Sequence, residues 1–95
     1  MSCEFDYGKC VAVIRALDSY GKPVPGAVIG VKIQRNGPHG DTQVHSPADA
    51  DGYVRFLGLP EGKIPFSAVA DGRRSTILID TANHCEGKYD IVLPK

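Results

Sequence analysis

The sequence predicts an all-β fold of about seven strands joined by regular turns, a sandwich or a barrel. Three observations carry the prediction. Eleven glycines and seven prolines divide the 95 residues at short intervals, leaving no breaker-free stretch long enough for a typical helix. The runs between them are rich in Val, Ile, Leu, Tyr and Phe, which pack well on a pleated surface. Within those runs apolar side chains recur with a period of two, which puts them on one face of a strand.

The first strand is expected over Cys10–Leu17, ending at the turn Asp18-Ser19-Tyr20-Gly21-Lys22-Pro23. Ala12, Ile14 and Ala16 share one side of it, with Val11, Val13, Arg15 and Leu17 on the other. The second covers residues 27–34 and stops at Asn36-Gly37-Pro38, with Ala27, Ile29, Val31 and Ile33 aligned. A weaker polar strand, 42–45, leads into Asp49-Ala50-Asp51-Gly52. Strands over 53–57, 64–70, 75–79 and 89–93 follow. They offer Val54 and Phe56, then Ile64, Phe66, Ala68 and Ala70, then Ile91 and Leu93, to an interior between two sheets. Val11, Val13 and Val92 remain on the opposite faces of the first and last strands. If those strands are neighbours, the valines form an apolar stripe suited to a dimer or partner surface.

Composition narrows the function. Lysine plus arginine equals aspartate plus glutamate at eleven each, so there is no net field to gather a polyanion, and nucleic acid is not an expected partner. No apolar run approaches the ~20 residues of a membrane span. One domain is expected over 1–95, with 1–8 as a loosely ordered N-terminal extension. The opening residues have neither the basic nor the apolar segment of a secretory signal. Localisation stays open, an extracellular or cell-surface place following if the chain is part of a larger secreted protein. Cys3, Cys10 and Cys85 are too few and too widely spaced for a zinc-type CxxC pair. They fit one disulfide plus a free thiol, or three reduced thiols.

Candidate chemistry is sparse. Asp49-x-Asp51-Gly52 has the look of a calcium loop, yet counting from Pro47 the twelfth position, where a glutamate ligand belongs, is Gly58. A hairpin turn explains the same residues. His39, His45 and His84 have no spacing that requires a metal site, with or without Cys85. Cys85 beside His84 and Ser46 beside His45 are sequence neighbours that point to opposite sides of a strand, and no glycine-framed nucleophile elbow is present. No metal, no cofactor and no enzymatic activity are expected.

Three blocks carry a family resemblance. Leu17-Asp18-Ser19-Tyr20-Gly21-Lys22-Pro23-Val24-Pro25-Gly26-Ala27-Val28-Ile29 has a strand, an Asp-x-x-Gly turn and a Pro-Val-x-Gly-Ala entry to the next strand. Ala48-Asp49-Ala50-Asp51-Gly52-Tyr53-Val54-Arg55-Phe56 gives a second turn, and Leu59-Pro60-Glu61-Gly62-Lys63-Ile64 a third feature before Phe66, Ala68 and Asp71-Gly72. In this order they resemble carboxypeptidase-regulatory-like domains, which implies an all-β, about seven-stranded Greek-key β-sandwich of the prealbumin-like (transthyretin-like) and immunoglobulin-like kind. Ala48 and Ile64 depart from the family's usual Thr and Tyr.

Related enzymes fit less well. Intradiol ring-cleaving dioxygenases share the Pro-Val-x-Gly-Ala block, and Ile33-Gln34-Arg35-Asn36 echoes the strand after it. Asp41, however, follows Gly40 where their tyrosine ligand would stand, and no His-x-His pair exists. Hydroxyisourate hydrolases end in Tyr-Arg-Gly-Ser, whereas this chain ends Ile91-Val92-Leu93-Pro94-Lys95. Adhesin stalk domains of the collagen-adhesin B type form Lys–Asn crosslinks. Here Ala16 takes the lysine's place, and the last strand has Asp90 but no asparagine.

The resemblance implies parallel, adjacent first and last strands, which would bring Cys10 and Cys85 to one end and favour their disulfide; Cys3–Cys85 and Cys3–Cys10 stay as alternatives. It further implies a non-catalytic structural or docking module: a spacer, cap or protein-interaction domain of a cell-surface, secretion or phage assembly, with a protein partner or self-association. The alternative is a small carbohydrate- or peptide-binding domain using end loops, with Tyr20, Asn36, His39, Asp41, His45 and Tyr53 as its residues.

Overall fold

The computed structural model describes residues 2–33 and 42–95. Among them are eight strands: β1 (Ser2–Glu4), β2 (Cys10–Leu17), β3 (Val28–Ile33), β4 (Thr42–Pro47), β5 (Tyr53–Leu59), β6 (Lys63–Ala70), β7 (Arg73–Asp80) and β8 (Glu86–Val92). They form two four-stranded sheets, ordered β1-β5-β2-β8 and β4-β3-β6-β7. The chain passes from one sheet to the other between β2 and β3, β4 and β5, β5 and β6, and β7 and β8. That is the Greek-key way of closing an immunoglobulin-like or prealbumin-like sandwich.

The inner faces follow the alternation of the sequence. Ala12, Ile14 and Ala16 of β2 pack against Ile29, Val31 and Ile33 of β3, Val54 and Phe56 of β5, Ile64, Phe66 and Ala68 of β6, and Ile91 of β8 in one core. The Phe56 and Phe66 rings meet edge to face across it, with centroids 5.3 Å apart, the arrangement their quadrupoles favour. Cys10, Leu59, Ile79 and Leu93 close its ends.

An eighth strand, β1, joins the roughly seven that the sequence indicates. Ser2–Glu4, in the segment expected to be a loose extension, pairs in parallel with β5 from Ser2↔Arg55 to Glu4↔Leu57. Two further backbone bonds continue the attachment, Phe5 N–H to Leu57 O at 2.8 Å and Tyr7 N–H to Gly58 O at 3.1 Å. Phe5 stacks between Tyr7 and Phe56 at centroid distances of 5.8 and 6.5 Å. Capping the β5 edge and covering Phe56 offsets the entropy of ordering this short segment. β7 and β8 also begin earlier than their apolar cores suggested, because polar residues continue the ladders.

β2 and β8 run parallel and in unbroken register from Val11↔Glu86 to Leu17↔Val92. At the start of this pairing Cys10 and Cys85 are joined as a disulfide, with a Cα–Cα separation of 4.5 Å. Cys3 is a free, half-buried thiol. Beside the disulfide, with its carbonyl 3.7 Å from Cys10 Sγ, Thr81 is fully buried. Its hydroxyl donates to Pro60 O at 2.6 Å and accepts the Gly62 amide at 3.0 Å, pinning the β5–β6 turn.

Candidate functional site

Two turns of the same design shape one end of the molecule. Asp18 accepts the Tyr20 and Lys22 amides at 2.8 and 3.0 Å, and Asp49 accepts the Asp51 and Tyr53 amides, both at 2.9 Å. Each turn has a glycine three residues on, Gly21 at φ +81° and Gly52 at φ +85°, a conformation that costs an L side chain dearly. The turns meet at Ala16, whose N–H donates to Gly52 O while its carbonyl accepts the Val24 amide. Asp49 therefore serves a hairpin, with its carboxylate turned to its own backbone. Both aspartates are held below the usual carboxylate value, mainly by the amides of Lys22 and of Tyr53. Asp80 is lowered too, chiefly by the Asn83 side chain. These shifts belong to turns. Among the described residues no group of three His, Cys, Asp or Glu side chains is placed to hold a metal.

Of the residues expected to form one loop site, the three that are described, Tyr20, His45 and Tyr53, do not share one surface. Asn36, His39 and Asp41 lie outside the described residues. Tyr20 stands on the first turn with 76% of its surface exposed and the Lys95 ammonium 5.2 Å above its ring. Tyr53 is on the outer face of the β1-β5-β2-β8 sheet, where Arg15 sits 5.4 Å over its ring. Arg15 also makes a two-pronged bond to Asp90, at 2.9 and 3.1 Å, so one face of Tyr53 is already covered. His45 is on the outer face of the other sheet, opposite Gly30. Tyr20 and Tyr53 share an end; His45 does not join them.

Two outer faces remain as candidate sites. On the β1-β5-β2-β8 sheet a shallow groove runs over Val11 and Val13 of β2, bordered by Arg55, Glu86 and Lys88. The borders come from the register, which places Val11 beside Glu86 and Val13 between Arg55 and Lys88. Val92, at the far end of β8, is 52% exposed. An apolar floor with a charged rim of both signs is how protein-docking surfaces are built. On the β4-β3-β6-β7 sheet a smaller cavity of about 120 Å³ opens over Gly30, lined by Lys32, Gln43, His45, Ser67, Arg74 and Thr76 among others. Sequence reading missed it, because it depends on which residues of four different strands gather around a glycine.

No protein-family model matches the chain, and no curated protein matches it. Solved structures do. A hydroxyquinol 1,2-dioxygenase from Pseudomonas putida DLL-E4 superposes with a TM-score of 0.67 at 13% identity, over 99% of this chain and 59% of its own. A shaft pilin from Lactobacillus rhamnosus GG gives 0.59 at 11% identity, over 90% of this chain and 46% of its own. A candidate carbohydrate binding protein from Pseudomonas aeruginosa gives 0.58 at 12% identity, over 96% of this chain and 91% of its own. This chain thus spans well under two thirds of the dioxygenase and the pilin. The likeness is one of fold: a β-sandwich common to several distinct families, and not peculiar to carboxypeptidase-regulatory-like domains. No helix among the described residues is long and apolar enough to cross a membrane.

Proposed function

We propose that the chain is a non-catalytic docking module, of the carboxypeptidase-regulatory-like kind, that holds a protein partner against the outer face of its β1-β5-β2-β8 sheet. The observation that carries this reading is the groove over Val11 and Val13 with its rim of Arg55, Glu86 and Lys88. Apolar contact supplies the attraction there and the mixed charges set orientation. The fold shared with a shaft pilin supports the same reading. The Cys10–Cys85 disulfide supports a place in an oxidising compartment, at a cell surface or beyond it. A photo-crosslinker at position 13 should capture a partner or a second copy, and Arg55→Ala with Lys88→Ala should weaken the capture. Equal capture from position 76, on the opposite sheet, would remove the reading.

A second reading has one observation in its favour. Tyr20 presents an exposed ring, which a sugar could stack upon, and the Pseudomonas aeruginosa protein shares the fold over nearly its whole length. Binding on a glycan array that survives Tyr20→Ala would exclude this turn as the contact.

A further inference from the structure

We infer that the cavity over Gly30, on the sheet face opposite the proposed docking groove, is a binding site for a single oxyanion group: a sulfate, phosphate or carboxylate, free or carried on a sugar. The sheet register builds the site. Gly30 lies opposite His45 on one side and Ser67 on the other, and Ser67 lies opposite Thr76. One row across all four strands therefore reads His45, Gly30, Ser67, Thr76. Lys32 and Gln43 form the next row on one side. Arg74, opposite Val69, belongs to the next row on the other, so a cation flanks the glycine from each direction at about 7 Å along the strands.

Glycine is what lets the His45 imidazole and the Ser67 hydroxyl close in over the sheet backbone. A Cβ at position 30 would stand 2.7 Å from His45 Cδ2, 3.0 Å from His45 Nε2 and 3.1 Å from Ser67 Oγ. Any larger residue would fill the floor and displace the imidazole. The cavity of about 120 Å³ is well below the roughly 300 Å³ at which drug-sized ligands are accommodated. It has room for one charged group, with the rest of any ligand left outside.

Charge and hydrogen bonding agree on the sign of that group. Lys32, His45 and Arg74 line the cavity with the hydroxyls of Ser67 and Thr76 and the amide of Gln43, and among the described residues no carboxylate lines it. Asp80 is the one acidic residue among the described residues on this face. It sits four residues along β7 from Thr76, about 13 Å away, and is occupied by the Ala82 amide and the Asn83 side chain. On a chain with equal numbers of acidic and basic residues, this concentration of donors on one face is a local feature. An oxyanion bound there would take charge-assisted hydrogen bonds, which are shorter and stronger than neutral ones.

The test is amide-resolved NMR titration of the disulfide-intact chain with sodium sulfate, sodium phosphate, glucuronate and glucose 6-sulfate, against sodium chloride at matched ionic strength. Saturable shifts at Gly30, His45, Ser67 and Thr76 with the oxyanions, and none with chloride, are expected. Tighter binding of the two charged sugars than of the inorganic ions would identify a saccharide source; equal binding would identify the free anion. Gly30→Ala, which keeps the charge and fills the floor, should abolish the shifts. Arg74→Gln, on an exposed edge strand, should weaken them about tenfold, the loss expected for one hydrogen bond to a charged group. Shifts that follow chloride equally, or binding unaltered in Arg74→Gln, would overturn the assignment.

Discussion

Asp18 and Asp49 occupy matching positions in two turns, each carboxylate accepting the amides two and four residues ahead of it. Those bonds favour the ionised form, so both groups release their protons more readily in the folded chain than in the unfolded one. The resulting stabilisation is complete above the ordinary aspartate value of 3.8 and disappears as pH falls through the lower folded values. Thermal melts across the acid range should show the melting temperature falling below about pH 4. In Asp18→Asn with Asp49→Asn the fall should be shallower and the plateau at neutral pH lower. A double variant with the wild-type acid profile would contradict this account.

The disulfide should dominate the stability of this small fold. For cysteines 75 residues apart, chain-entropy arguments give about 4.5 kcal/mol. Urea unfolding with and without reductant measures it, and Cys10→Ala with Cys85→Ala should match the reduced protein. In protein prepared without reductant, alkylation should label Cys3 alone.

Thr81→Val tests the buried hydroxyl. The shape is nearly kept, but the Pro60 carbonyl and the Gly62 amide each lose their bond to Oγ1. Leaving such groups unpaired in a buried site costs about 1–3 kcal/mol. A loss of that size should appear in urea midpoints, whereas Thr76→Val on the open face should be close to neutral.

Gly58→Ala should release the N-terminal strand. Gly58 has φ +71°, and an added Cβ would run into the carbonyl oxygen of Phe5. The conformation alone costs an alanine about 1–2 kcal/mol, and the clash adds to it. Hydrogen exchange should accelerate first at the Phe5 and Tyr7 amides, which bond to Leu57 and Gly58, while the β3 and β6 amides stay protected.

The sandwich was legible because each strand states its own inward face. Ala12-x-Ile14-x-Ala16 and Ile29-x-Val31-x-Ile33 need no knowledge of their neighbours to be placed. β1 was not legible, since Ser2-Cys3-Glu4 offers one half-buried side chain and is ordered by pairing with a strand fifty residues later in the chain. Thr81 was missed for a similar reason: its partners Pro60 and Gly62 come from another turn, and alone it reads as a surface residue. The loop site expected from Tyr20, His45 and Tyr53 assumed that nearness to a turn means nearness in space. Register decided otherwise, sending His45 to one sheet and Tyr53 to the other. The Gly30 cavity is purely a product of register, so no single strand could announce it.

The cystine also defines where a pull on this molecule would travel. Tension entering the chain ahead of Cys10 crosses the sulfur bridge to Cys85 and leaves along β8, so the residues between the two cysteines form a closed side loop that bears no covalent load. The folded domain would then act as a short, inextensible tether even if its core melted. Reduction would release the 75-residue separation between the cysteines, roughly 260 Å of slack at about 3.5 Å per residue.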